Sequence, residues 1–288
     1  MRHLLNDKLL PKELDMTIRR LFTTHPAVLL CNQLRSVLIL TICFLPTIVS
    51  TAFSSDQNVS SDRFEPPQYQ IHHTSGAISI DGRLDEADWF TAPSVGDFHF
   101  TWYKEGRQEQ TVAKMLWDEE HLYVAHVCRD TGITAQHADH DGRIPEDDCF
   151  EVIFAPDPDR PEVYFNIEWN VIGGYVDNHR PNGPSKPRAP VWDAKGVRIA
   201  GHSIGTVNDD SDEDGCWVVE VAIPLENFRS FMDNFPIRAG DSWNLNLNRH
   251  GGKRDPQYSQ WSPADTVAPN FHTPHRFGKV FFTDRRLP

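Results

Sequence analysis

From Ile78 to Phe282, short runs of β-branched and aromatic residues alternate with clusters of Gly, Pro and Asp, and no long stretch repeats apolar residues at helical spacing. Such a chain buries its apolar residues by pairing and stacking strands, because each run suits one strand and is too short for a packing helix. The pattern predicts strands near Ile78–Ile80, Val95–Phe100, Thr111–Trp117, Leu122–Arg129, Cys149–Phe154, Val163–Val171, Gly174–Asn178, Val197–Ile204, Cys216–Ile223, Ser242–Asn248 and Lys279–Phe282. Leu84–Phe90 and Leu225–Phe231 read as short helical turns, and Trp117–Leu122 reads as a tight turn between paired strands. Many strands, few helices and no βαβ alternation make the chain all-β, an antiparallel β-sandwich.

The beginning of the chain is written differently. Arg19, Arg20 and Arg35 precede an uncharged apolar run from Val37 to Phe53 that Pro46 interrupts, and Ser50-Thr51-Ala52 offers small residues for cleavage. Residues 1–52 read as a cleaved secretory leader, with Met1 or Met16 as the start and a single membrane anchor as the competing reading. Residues 53–67, polar and without apolar periodicity, read as a linker, which leaves 68–288 as the folded domain. The expected location is secreted, periplasmic or attached to the cell envelope.

Formal net charge is −13, from 28 basic and 41 acidic residues, and without residues 1–52 it becomes −16. No basic run offers a footprint for a phosphate backbone, so nucleic acid is excluded as a partner, and the mature domain needs no membrane. Cys128, Cys149 and Cys216 remain after leader removal, enough for one disulfide at most, and there is no Cys-x-x-Cys pair. P-loops and Gly-rich dinucleotide fingerprints are also missing from the sequence.

Two strands carry a functional hint. In Val163–Val171, Phe165, Ile167, Trp169 and Val171 share one face, while Tyr164, Asn166, Glu168 and Asn170 share the other. In Ser242–Arg249, Trp243, Leu245 and Leu247 alternate with Asn244, Asn246 and Asn248. A solvated outer face accounts for such a pattern in general. Asn is depleted in strands, however, so two amide ladders suggest a surface that hydrogen-bonds a hydroxyl-rich ligand.

Four segments carry a resemblance: Ile80-Asp81-Gly82-Arg83-Leu84-Asp85-Glu86-Ala87-Asp88-Trp89, then Leu116 to Val124, then Asp147 to Phe154, and finally Trp261-Ser262-Pro263 with Arg276-Phe277-Gly278-Lys279-Val280. In this order they resemble the successive signatures of family 9 carbohydrate-binding modules, within the DOMON-like superfamily, from about Tyr69 to Asp284. The resemblance implies a sandwich of immunoglobulin or DOMON-like jelly-roll type that binds an oligo- or polysaccharide without catalysis, with a glycosidase on a partner chain and calcium as a structural ion. It matches Glu151 to the family's binding carboxylate and Phe271 to its second stacking tryptophan. It places the binding arginine at Asn166 and the first stacking tryptophan near Ile144 or Pro145, where this chain departs from the pattern. The expected contacts are Glu151, Asn166, Glu168, Asn246, Asn248, Trp261 and Phe271, with Trp102, Trp192 or Trp261 as a replacement ring. Asp81, Asp130 and Asp148 are the expected calcium ligands.

Two rival readings stay open. Glu151 and Glu168 on neighbouring strands have the spacing a glycoside hydrolase needs. His137-Ala138-Asp139-His140-Asp141, with His272 and His275, offers a metal site, and Met115 or Met232 with a histidine offers a haem site in the DOMON-like manner.

Overall fold

The computed structural model describes residues 64–184, 192–252, 254 and 256–287, so the leader and most of the linker lie outside the described residues. The strands are β1 (Gln68–His73), β2 (Thr111–Trp117), β3 (His121–Arg129), β4 (Cys149–Ala155), β5 (Tyr164–Asn170), β6 (Tyr175–Arg180), β7 (Arg198–Ile204), β8 (Cys216–Pro224), β9 (Ser242–His250), β10 (Tyr258–Gln260) and β11 (Gly278–Arg286). One short helix, α1 (Ala87–Thr91), and 3₁₀ turns at Ile144–Glu146, Leu225–Phe231 and Pro274–Arg276 complete the elements. No helix among the described residues is long and apolar enough to cross a membrane.

The strands form one hydrogen-bonded path, β6-β5-β4-β9-β11-β1-β2-β3-β8-β7, with β10 added to β9. All pairings are antiparallel except those of β1, which lies parallel to both β11 and β2. The sheet curls so that its two flanks share one core. Phe150, Val152 and Phe154 of β4, Phe165, Ile167 and Trp169 of β5, and Leu245 and Leu247 of β9 pack with Met115 of β2, Val124 of β3 and Val219 and Val221 of β8. The architecture is a curled, mostly antiparallel sheet consistent with a β-sandwich.

Where apolar alternation was strong, the predicted strands agree with the observed ones within a few residues. Ile78–Ile80 forms no strand: Glu220 accepts the Asp81 and Gly82 N–H groups, and Glu86 accepts that of Ser79, so side chains satisfy this segment's backbone. Val95–Phe100 contributes only a bridge between His99 and Gln260. β1 and β10 were not expected. The three cysteines are buried and free.

The end of the path that matters for function is fixed by register. The β5–β6 hairpin turns through Gly173 at φ +89°, a left-handed conformation that a side chain would strain. This turn sets Trp169 opposite Tyr175, Asn166 opposite Asn178 and Tyr164 opposite Arg180. On the other side Glu151 stands opposite both Glu168 and Asn248, and Asn248 stands opposite Gln260. One row of side chains therefore runs Glu168, Glu151, Asn248, Gln260. The next runs Asn178, Asn166, Ile153, Asn246.

Candidate functional site

The face carrying these rows is not a solvated surface. Glu151, Asn166, Asn246, Asn248 and Gln260 are all buried, and beside them Ile153, Ala155, Tyr164 and Phe277 form a second small apolar cluster against which Phe271 packs. Buried polar groups demand partners. Some have them: Asn248 Nδ2 donates to Glu151 Oε2 at 3.0 Å, Asn166 Nδ2 donates to Glu168 Oε1 at 3.1 Å, and Gln260 Nε2 donates to Thr101 Oγ1 at 2.9 Å. Others do not. Glu151 Oε1, Asn166 Oδ1, Asn248 Oδ1 and Gln260 Oε1 accept no hydrogen bond from the protein, and Arg180 Nε has no acceptor. Four acceptors and a donor, buried on adjacent rows of one face, are a template for hydroxyl groups.

Burial and the neighbouring Glu168 push the Glu151 carboxyl well above the usual carboxylate range, against the hydrogen bond from Asn248 and the charge of Arg180. A carboxyl held neutral both donates and accepts, which suits a hydroxyl partner.

The expected contact residues divide. Glu151, Asn166, Glu168 and Asn248 come together on one face. Asn246 shares that face but spends its amide internally: Nδ2 donates to Ser262 O at 3.0 Å, and Oδ1 accepts the Leu247 and Ser262 N–H groups. It ties β9 to the Trp261–Ser262 turn. Trp261 is corrected as a stacking ring, because it is buried in the core with Nε1 bound to Val95 O at 2.8 Å and presents no ring face. Trp192 also turns inward, onto Phe165 at 4.6 Å. Trp102 is the tryptophan that reaches the neighbourhood. Its ring lies 5.7 Å from Phe271 and 6.2 Å from Tyr258, and its Nε1 donates to Thr266 O. Trp102 and Tyr258 border an open groove of about 940 Å³ that adjoins Gln260 through Thr101. Ile144, near the position of the missing tryptophan, is buried in its 3₁₀ turn.

The contacts expected from the sequence left out Arg180, Asn178 and Tyr164, although Tyr164 was placed on the polar face. Arg180 stands opposite Tyr164 and its charge acts on Glu151, and Tyr164 donates to or accepts from His272 Nδ1 at 3.1 Å. The signal was present: a turn at Gly173-Gly174 sets the hairpin register, and alternation in Tyr175–Arg180 then assigns the face.

The calcium expectation meets a misfit at two of its three aspartates. Asp130 Oδ1 accepts the Gly132 N–H, and its Oδ2 accepts Arg249 Nη2 at 2.9 Å and Trp217 Nε1 at 3.1 Å. Asp148 accepts the N–H groups of Thr134 and Gly252 through its two oxygens. A guanidinium stands where a cation would bind, and Asp81 belongs to a different network, around Glu220. The histidine-rich loop also separates: His137 meets Asp147 at 3.1 Å while His140 meets Asp177 at 3.2 Å. His272 and His275 likewise take different partners, Tyr164 and Asp265. Met115 is wholly buried among the apolar side chains of the core.

The model of carbohydrate-binding family 9 matches residues 100–282. Among solved structures, a carbohydrate-binding protein of Bacteroides uniformis, described as putative in its own report, superposes with a TM-score of 0.64 at 18% identity, over 76% of this chain and 100% of that one. A family 9 module of Caldicellulosiruptor kristjanssonii in complex with cellotriose gives 0.52 at 15% identity, over 76% and 94%. The same organism's module in complex with glucose gives 0.51 at 15%, over 75% and 96%. No curated protein matches. The neighbours agree with the fold, and with most of the chain matched in sequence order, the protein belongs to carbohydrate-binding family 9.

Proposed function

We propose that this chain is a non-catalytic, secreted sugar-binding module that holds an oligo- or polysaccharide on the face built by β4, β5, β6 and β9. One observation carries the reading: four buried side-chain acceptors and the Arg180 Nε donor stand on this face without partners. Sugar hydroxyls supply both donors and acceptors, and Phe271 with Trp102 supplies the apolar surface that a C–H-rich ring face requires. Cellotriose and glucose, bound by the structural neighbours, are the first ligands to try. The sandwich is read as DOMON-like, and a glycosidase on a separate chain as the partner.

A second reading has its own support. The register sets Glu151 opposite Glu168, two carboxyls on neighbouring strands as a glycoside hydrolase uses, and burial with the Glu168 charge raises the Glu151 carboxyl.

Calorimetry of the mature domain against a panel of oligo- and polysaccharides, with product chromatography, separates the two. Saturable binding without product supports the module. Turnover supports the hydrolase, and no binding to any sugar sinks both. Structural calcium, proposed from the family resemblance, is read by repeating the titration with calcium and with EDTA.

A further inference from the structure

Alternation along β6 puts Tyr175, Asp177 and His179 on the side away from Val176, Asn178 and Arg180, so Asp177 shares a strand with the polar face and not its surface. There His140, Asp141 and Asp177 bring one imidazole nitrogen and two carboxylate oxygens within 4.8 Å of one another. His140 Nε2 lies 3.2 Å from Asp177 Oδ2 and 3.7 Å from Asp141 Oδ1. The ring is held in place by stacking on Tyr175, with centroids 4.3 Å apart and planes 21° off parallel. The Asp141 N–H, bonded to Tyr175 O at 2.9 Å, fastens the loop to the strand.

Asp177 adds an independent observation. Its side chain is wholly buried, and Oδ2 also accepts the Ala194 N–H at 3.1 Å, yet Oδ1 has no hydrogen-bond partner. A carboxylate sealed from water with half its acceptor capacity unused is expensive unless something positive completes it. His140 Nε2, 3.2 Å from Asp177 Oδ2, faces the same carboxylate. The His140 side chain is 36% exposed, so an ion reaches the nitrogen from solvent.

We propose that His140, Asp141 and Asp177 form a binding site for a divalent transition-metal ion of the zinc or nickel kind. One imidazole and two carboxylates suit such ions, and three protein ligands leave room for water. Calcium, which takes six to eight oxygens, is poorly served by a nitrogen donor. The site stands apart from the sugar-binding face and does not depend on that reading.

The test is calorimetric titration of the chain, prepared without a polyhistidine tag and stripped with EDTA, against zinc, nickel and calcium chlorides. The expected result is one saturable zinc or nickel ion per chain, weakened at least tenfold by His140→Ala and by the isosteric Asp177→Asn. His140 lies at the surface, so His140→Ala keeps the wild-type circular dichroism spectrum and checks the site even where Asp177→Asn perturbs folding. Absence of saturable zinc and nickel binding overturns the proposal. So does binding that His140→Ala leaves unchanged, or a preference for calcium that Asp177→Asn abolishes.

Discussion

Strand β9 sends charge and polarity in both directions, and the two regions it feeds treat buried polar groups differently. Inward, Arg249 is fully buried between the flanks, where Nη1 donates to Glu109 O at 2.7 Å and Nη2 reaches both Asp130 and Glu109. Both carboxylates are saturated in turn: Trp217 and Gly132 donate to Asp130, and Thr131 and Gln257 donate to Glu109. Outward, one residue earlier, Asn248 leaves its carbonyl oxygen open beside the open oxygen of Glu151. A polar network that holds a fold together closes on itself, leaving here a single atom, Arg249 Nε, without a partner. A polar surface that waits for a ligand leaves several acceptors open, here Glu151 Oε1, Asn248 Oδ1 and Gln260 Oε1 on one row and Asn166 Oδ1 on the next. The count of unpaired atoms, more than burial or charge, tells the two apart.

The comparison is broken if either region behaves like the other. Arg249→Ala strands two buried carboxylates and is expected to cost about 3 to 5 kcal/mol in urea unfolding, with sugar affinity of the folded fraction unchanged. Trp261→Ala opens a core cavity and is expected to cost a similar amount, about 3 to 5 kcal/mol, whereas Trp102→Ala keeps the stability and weakens binding. If instead Trp261→Ala removes binding from a still-folded protein, the assignment of the rings is wrong. Glu151→Ala is expected to weaken sugar binding by about 1 to 3 kcal/mol while the melting temperature holds. An unchanged calorimetric isotherm would place the sugar elsewhere. Arg180→Gln, which keeps the length and removes the charge, is expected to lower affinity about tenfold, or ~1.4 kcal/mol; equal affinity would leave the guanidinium a bystander.

The smallest effect is in pH. Because burial raises the Glu151 carboxyl in the folded state above the ordinary glutamate value of 4.5, its protonated form contributes stability that is complete below that value and is lost as pH rises. Glu151→Gln, which cannot ionise, should therefore melt like the wild type in acid and above it in alkali. A gap that widens toward low pH would reverse the sign and show that the carboxylate is stabilised in place.

Residues whose partners are close in sequence were legible before the structure. Thr111–Trp117 and Leu122–Arg129 follow from alternation around a short turn, and Leu225–Phe231 follows from its own apolar spacing. β1 was not legible, because Gln68–His73 has only Tyr69 and Ile71 as apolar residues and becomes a strand through β11 and β2, remote in the chain. Val95–Phe100 misled in the opposite way: Val95 and Phe98 are apolar because they fill the core from a loop. At the candidate site, Asn166, Glu168 and Asn248 were readable from strand faces, and Glu151 from the family resemblance. That Asn246 spends its amide on Ser262 and that Trp261 turns inward depend on tertiary neighbours that no periodicity reports.

The parallel pairing of β1 with β11 sets the order in which the molecule is completed. Gln68 lies beside Lys279, a separation of about two hundred residues, and contacts this remote are the slowest for a chain to find. β11 leaves the ribosome about two hundred residues after β1, so the seam between them stays open while the intervening strands are made. Until β11 arrives, the backbone donors and acceptors of β1 that will meet it are an unguarded edge, the kind of surface that pairs with other chains.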